Sequence, residues 1–226
     1  MKTGSKVLLG VSGAALLVAG SIAGTLAYLT AKDDVVNTFT MGKIDIDLTE
    51  TKVDESFEPV TENTTDADGN PIYVKTDEGN EYRIVPGAEY VKDPTITVKA
   101  DSEAAYVRMM VTIDKWDKMS EFTDLATMFK GLDSTVWKRG KTKTTDGTLV
   151  VEYRYVKTAT VEGTDKDYDL DALFTNLVIP ENLTTEDVEA LEGFEIEVEG
   201  HAIQATGFEN ADEAWAAFDK QEADKN

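Results

Sequence analysis

Four aspartates at alternate positions form the pattern in this chain that most resembles a metal site. Asp165, Asp167, Asp169 and Asp171 would project from one side of an extended backbone. Carboxylate oxygens are the ligands that Ca²⁺ prefers, and a bound cation would relieve the repulsion among four like charges. The spacing and the glycine of an EF-hand loop are absent. The pattern therefore leaves two alternatives, a calcium site and a solvated acidic loop, and it indicates no other cofactor.

The single histidine and the absence of cysteine restrict the catalytic chemistry that this chain can carry. A catalytic zinc normally needs several His, Glu or Cys ligands. His201 follows Glu195, Glu197 and Glu199 at alternate positions, which predicts that it lies on the polar face of a strand. One histidine cannot be assigned to a serine-type triad from spacing alone. The sequence thus indicates no catalytic residue and predicts that the protein is not an enzyme.

The elements that would position these residues are short runs in which apolar and polar residues alternate. Such alternation predicts strands at residues 43–49, 95–99, 106–113, 149–156 and 194–198, and a hairpin of 72–75 with 82–85. Helical spacing predicts short helices at 119–130, at 184–191 after the cap Thr184, and from Asn210 with Glu213 at the capping-box position. We therefore expect a mainly β protein, an antiparallel jelly-roll sandwich over residues 43–226 with short helices in its connections.

The charge of the chain argues against two classes of partner. The sequence contains 44 acidic and 22 basic residues, a formal net charge of −22. Surfaces that bind nucleic acid or anionic membranes are basic. We therefore expect no nucleic-acid partner, and membrane contact only through an uncleaved N-terminal segment.

The first 27 residues have the layout of a secretory signal peptide. Lys2 and Lys6 precede an apolar run, Val7–Leu29, and the small-residue sequence Thr25-Leu26-Ala27 forms its exit. This layout predicts cleavage between Ala27 and Tyr28. The run is also long enough to span a bilayer, so a retained anchor is the alternative.

A change of register separates residues 28–42 from the strand that follows. Val35, Phe39 and Met41 occupy odd positions, whereas the apolar residues from Ile44 to Leu48 occupy even ones. A slip of one residue exchanges the faces of a strand, so a bulge or break at Gly42 is predicted. The segment is then either the bulged first strand of its own domain, or a donor strand. A donor strand hinged at Gly42 would place Val35, Phe39 and Met41 in pockets of another molecule.

Several short stretches resemble the TasA/camelysin family of exported proteins, which the signal peptidase SipW cleaves. The stretches that carry the resemblance are Gly24–Thr30, Asn37–Ile46, Pro86-Gly87, Lys92–Val98, Ala104–Arg108, Gly200–Ala205 and Ala214-Trp215. The resemblance is weakest over residues 51–80 and 115–148.

This resemblance implies a secreted jelly-roll protein of the extracellular matrix or cell surface, in a Gram-positive bacterium. For TasA-like members it implies a biofilm matrix fibre in which residues 28–42 complete the sheet of the next subunit, and it favours the donor-strand interpretation. The implied partners are copies of the chain, SipW during export and a fibre-accessory protein. Two alternatives remain, a camelysin-like secreted metalloprotease and a monomeric fibre-accessory or surface protein.

Overall fold

The computed structural model of the protein describes residues 44–159 and 165–224. In chain order, the strands are β1 (Ile46–Thr51), β2 (Thr61–Thr65), β3 (Pro71–Tyr73), β4 (Lys75–Thr76), β5 (Glu89–Val91), β6 (Thr95–Val98), β7 (Ala105–Ile113), β8 (Phe129–Lys130), β9 (Trp137–Thr145), β10 (Thr148–Tyr155), β11 (Tyr168–Asp169), β12 (Asn176–Val178) and β13 (Ile196–Gln204). The helices of these residues are α1 (Trp116–Met119), α2 (Leu125–Met128), α3 (Thr185–Ala190) and α4 (Ala211–Ala223). The predicted signal peptide, cleavage site, donor residues and Gly42 hinge lie outside the described residues.

The strands form antiparallel sheets, as the alternating sequence predicts. The first sheet has the strand order β11-β6-β1-β4 and the second has the order β13-β7-β10-β9. A smaller sheet has the order β5-β12-β8, and β2 pairs with β3 alone. All the pairings among these strands are antiparallel. This confirms a mainly β architecture with short helices in the connections.

The core lies against one face of the second sheet. Alternate residues of β7 are at most 1% exposed, as are Ile96 and Val98 of β6 in the first sheet. Gly200 of β13 shows how close the two sheets are, because a Cβ atom there would lie 3.1 Å from Cδ1 of Ile96. The other face of the second sheet contacts α4, where Trp215 is buried and stacks edge-on against Phe218.

Two sequence predictions for the local structure are wrong. The predicted hairpin does not form: β3 pairs with β2, and residues 82–85 contain no strand. Tyr82 instead packs its ring 5.2 Å from that of Tyr90 and donates its hydroxyl proton to the carbonyl of Val91. The predicted helix over 119–130 is shortened to α2 (Leu125–Met128), because the side chain of Asp124 accepts the amide of Thr127 and starts the helix there, and residues 129–130 form β8.

The helix starts predicted at Thr184 and Asn210 are confirmed. The hydroxyl of Thr184 accepts the amide of Asp187, and the carboxylate of Asp187 accepts the amide of Thr184, a complete capping box. The side chain of Asn210 accepts the amide of Glu213 at the start of α4. In the part of the chain that the structure describes, no helix is long and apolar enough to cross a membrane.

Candidate functional site

A cleft of about 790 Å³ opens between β1 of the first sheet and the start of β13 in the second. Its aliphatic and aromatic lining comes from the first two sheets, from the loop before β5 and from the region of β12 in the smaller sheet, and includes Leu48, Ile84, Leu177, Ile179, Phe194, Ile196 and Val198. Most of these side chains are only half buried. We refer to this cavity as the edge cleft, because it lies where two sheet edges meet.

The edge cleft runs beside an unpaired strand edge. On one side of β1, residues Ile46–Thr49 pair with β6. On its other side, β1 pairs with β4, and this pairing involves only Glu50 and Thr51. Within residues 44–159 and 165–224, no strand pairs with Ile46–Thr49 on that second side. Backbone N–H and C=O groups at such an edge are available to an added strand.

A set of paired charges closes one end of the edge cleft. Nζ of the buried Lys92 lies 2.7 Å from a carboxylate oxygen of Glu50, and the other oxygen accepts both the amide and the side-chain nitrogen of Asn80. Asp93 accepts the amide and hydroxyl of Thr51. A buried charge is tolerated when it is paired in this way. These contacts fix the loop of residues 76–84 against β1.

The groups that close the edge cleft are engaged with one another. Burial, with the nearby Glu50 carboxylate, raises the pKa of Tyr82 well above its usual value. The residues that line the cleft include neither histidine nor serine. Its shape, apolar lining and free strand edge suit an extended apolar segment, which side-chain pockets and backbone pairing recognise together.

The four candidate calcium ligands do not converge. Asp167 contacts Nζ of Lys99 and accepts the amide of Ala100, and Asp169 accepts the hydroxyl of Thr97. Asp171 lies beyond them and accepts the hydroxyl proton of Tyr155, whereas Asp165 is exposed. In the described part of the chain, no group of three or more His, Cys, Asp or Glu residues is arranged to hold a metal ion. Calcium binding by the four aspartates stays a prediction.

His201 lies in a cluster that sequence reasoning missed. Its ring stacks on Phe218 of α4 at 5.0 Å, and Nδ1 accepts a hydrogen bond from Nε of Arg108. The guanidinium of Arg108 lies 4.3 Å from the ring of Trp215. Burial and the adjacent Arg108 lower the pKa of His201. His201 therefore helps to dock α4 on the second sheet.

The buried carboxylate of Glu152 and the partly exposed one of Asp219 complete this cluster, which we call the helix-docking cluster. Arg108 forms ion pairs with Glu152 at 3.0 Å and with Asp219 of α4 at 2.8 Å. Burial would raise the pKa of Glu152, but the Lys141 amide and the Arg154 and Arg108 guanidiniums hold it below its usual value. The sequence does contain a signal for this cluster. Charged residues occur at positions 108 and 152, in the middle of strands whose other residues are largely apolar, but this pattern alone does not show that the two residues pair.

Comparison of the chain with protein-family models, with curated proteins and with solved structures finds no match.

Proposed function

We propose that this protein is a secreted structural subunit of extracellular matrix fibres, and that it polymerises by donor-strand complementation. Residues 28–42 of one subunit would enter the edge cleft of the next subunit and extend the first sheet beside Ile46–Thr49. The cleft supports this proposal most directly, because it places half-buried aliphatic side chains beside a free strand edge. We further propose that the sheets form a jelly roll, for which the two facing four-stranded antiparallel sheets are the support.

The chemistry of the proposed donor matches that of the edge cleft. Val35, Phe39 and Met41 are apolar residues at odd positions, so an extended segment presents them on one side. The facing wall offers Leu48, Ile196 and other aliphatic side chains that are only half buried. Burying a large apolar side chain contributes about 1.5–3 kcal/mol, so three of them supply a substantial part of a stable contact.

The remaining parts of the proposal follow from the resemblance. Export would require removal of residues 1–27 by the signal peptidase SipW, with release into the matrix or onto the surface of a Gram-positive cell. The partners would be copies of the chain and a fibre-accessory protein. The secreted metalloprotease has less support, because His201, the chain's single histidine, is engaged in helix docking.

Negative-stain microscopy of donor and cleft variants tests the proposal. Phe39→Asp should abolish fibres, because it would place an unpaired charge in the cleft, whereas Thr38→Asp, on the opposite side of the segment, should leave fibres intact. On the acceptor side, Ile84→Asp should prevent assembly. The matched control is Val85→Asp, since Val85 is 46% exposed and does not line the cleft.

A peptide experiment identifies the contact directly. A chain that lacks residues 28–41 should be folded and monomeric, and a synthetic peptide of residues 29–41 should bind it and cap the growth of normal fibres. Ile84→Asp in the truncated chain should abolish this binding while circular dichroism stays unchanged. Normal fibres from the truncated chain would refute strand donation. A monomer that binds the peptide but never forms fibres would favour the accessory-protein alternative.

A further inference from the structure

The two edges of the second sheet carry charges of opposite sign. The edge strand β9 contains Lys138, Arg139, Lys141 and Lys143, and no acidic residue. All of these side chains are exposed. This is a local concentration of positive charge in a chain whose net charge is −22. We call these residues the basic edge.

The opposite edge of the same sheet is acidic. Glu195, which precedes β13, and Glu197 and Glu199 within it are all exposed. Residues 181–199 contain no lysine or arginine. In the described part of the chain, no strand pairs with β13 on the side away from β7. We call this row of carboxylates the acidic edge.

The two rows lie on the same face of the sheet. Glu197 and Glu199 are opposite Thr112 and Met110 of β7, whose side chains point away from the core residues 109, 111 and 113. Lys138 and Lys143 are opposite Arg154 and Val150 of β10, which lie on that same face.

A bulge in β9 gives the lysines a regular spacing. It falls opposite Glu152, so that Lys143, Lys141 and Lys138 stand against successive outward-facing positions of β10. The lysines therefore face every second residue of β10, and the glutamates recur at every second residue of β13.

The strand directions also fit. The sheet has four antiparallel strands, so β9 and β13 run in opposite directions. A second copy displaced along the sheet, without being turned, would place its β13 antiparallel to β9 of the first copy. The outward faces of the two copies would then be on the same side, and each lysine could approach a carboxylate across the strand pair.

We propose that the basic edge of one molecule pairs with the acidic edge of a second copy of this chain. The antiparallel register places Glu195 opposite Lys143, Glu197 opposite Lys141 and Glu199 opposite Lys138. Lysines on edge strands normally prevent edge pairing, but here the other edge of the same sheet supplies the matching carboxylates. The contact joins different edges of the two molecules, so it repeats from copy to copy and forms an open array.

This contact pairs a different strand from the donor-strand contact, although the start of β13 also lines the edge cleft. The donor segment would pair with β1 in the first sheet, whereas the edge pairing uses β9 and β13 of the second sheet. Lys141 also forms an ion pair with Asp219, whereas Lys138 and Lys143 form none within residues 44–159 and 165–224.

At about 0.15 M salt the Debye length is about 8 Å, so the general repulsion between acidic molecules is screened while ion pairs in contact persist.

Cysteine cross-linking at about this ionic strength tests the pairing, and the absence of native cysteine makes the readout clean. The variants Lys143→Cys and Glu195→Cys are prepared separately in the exported form of the protein, with Phe39→Asp present in every sample to suppress donor-strand assembly. An internal disulfide is not an issue, because each molecule carries one cysteine. The Lys143→Cys variant is mixed with the Glu195→Cys variant and, as a control, with Glu62→Cys, whose position is exposed on β2. Under mild oxidation, the disulfide between positions 143 and 195 should form roughly tenfold faster than the disulfide between positions 143 and 62.

Charge reversal provides the second measurement. Lys138→Glu/Lys143→Glu and Glu195→Lys/Glu199→Lys, which reverse the charges at the two ends of the register, should each lose self-association in sedimentation velocity, and an equimolar mixture of the two should restore it. Cross-linking no faster than the Glu62→Cys control, or no recovery in the mixture, would overturn the proposal. Binding of poly-L-glutamate that is lost in Lys138→Glu/Lys143→Glu, without specific cross-linking, would also overturn it and identify a polyanion site. If the cross-link forms and Phe39→Asp nevertheless assembles into normal fibres, the edge pairing stands and only the strand-donation proposal is refuted.

Discussion

Replacing Glu152 by glutamine should destabilise the protein strongly, because this carboxylate is the fully buried centre of the helix-docking cluster. Its Oε1 lies 3.0 Å from nitrogen atoms of both Arg108 and Arg154, and its Oε2 accepts the amide of Lys141. Glutamine keeps the shape but removes the charge, which leaves two guanidiniums beneath α4 without their shared partner. Breaking a buried ion pair from one side costs about 3–5 kcal/mol. For a chain of this length, that loss lowers Tm by roughly 10 °C.

Urea unfolding at pH 7, followed by tryptophan fluorescence, measures this loss. The control is Glu197→Gln, the same substitution at an exposed position of β13, which should change the free energy of unfolding by less than about 0.5 kcal/mol. Arg108→Leu should also be costly. The double variant Arg108→Leu/Glu152→Gln should lose less than the sum of the two single losses, because both single changes break the same interaction. If Glu152→Gln unfolds at the same urea concentration as Glu197→Gln, the cluster does not stabilise α4 and the reasoning is wrong.

Three further outcomes are expected. Because the fold lowers the pKa of His201, the unfolded chain takes up this proton first, near its usual pKa of about 6.5; stability should therefore fall as pH drops below about 6.5. His201→Asn should reduce the difference between urea midpoints at pH 7.5 and 5.5, and an unchanged difference would contradict this account. Fibre growth, followed by light scattering, should accelerate as salt rises, because screening weakens the repulsion of a strongly acidic chain; indifference to salt would count against native-state polymerisation. Mass spectrometry of the exported protein should place its N-terminus within about two residues of Tyr28, and recovery of the form that begins at Met1 would indicate an anchor instead.

The sequence predicted the strands with strong alternation and missed those without it. Residues 106–113 and 149–156 alternate because one face is buried, so their pattern reports their position in the sheet. β9 has one buried residue, Trp137, and otherwise exposed polar ones. β9 is held at the edge of the sheet by backbone hydrogen bonds to β10, and backbone hydrogen bonds leave no hydrophobic pattern in the sequence.

The edge cleft was also beyond sequence reasoning, for a different reason. Leu48, Ile84, Ile179 and Ile196 come from separate parts of the chain, and only the packing of the sheets brings them to one cavity. The same holds for Arg108 and Glu152, which lie on adjacent strands. Local spacing predicted helix starts at Thr184 and Asn210 well, because a helix cap is a contact between near neighbours.

The bulge of β9 links the outer edge of the sheet to its interior. A Cβ atom on Gly140 would lie 2.2 Å from a carboxylate oxygen of Glu152, so glycine at this position is what admits the buried carboxylate. That carboxylate accepts the amide of Lys141 and thereby helps to set the spacing of the lysines along the edge. Gly140 and Glu152 should consequently change together among descendants of a common ancestor. A lineage that loses the buried acid would be free to straighten β9 and to lose the lysine spacing as well.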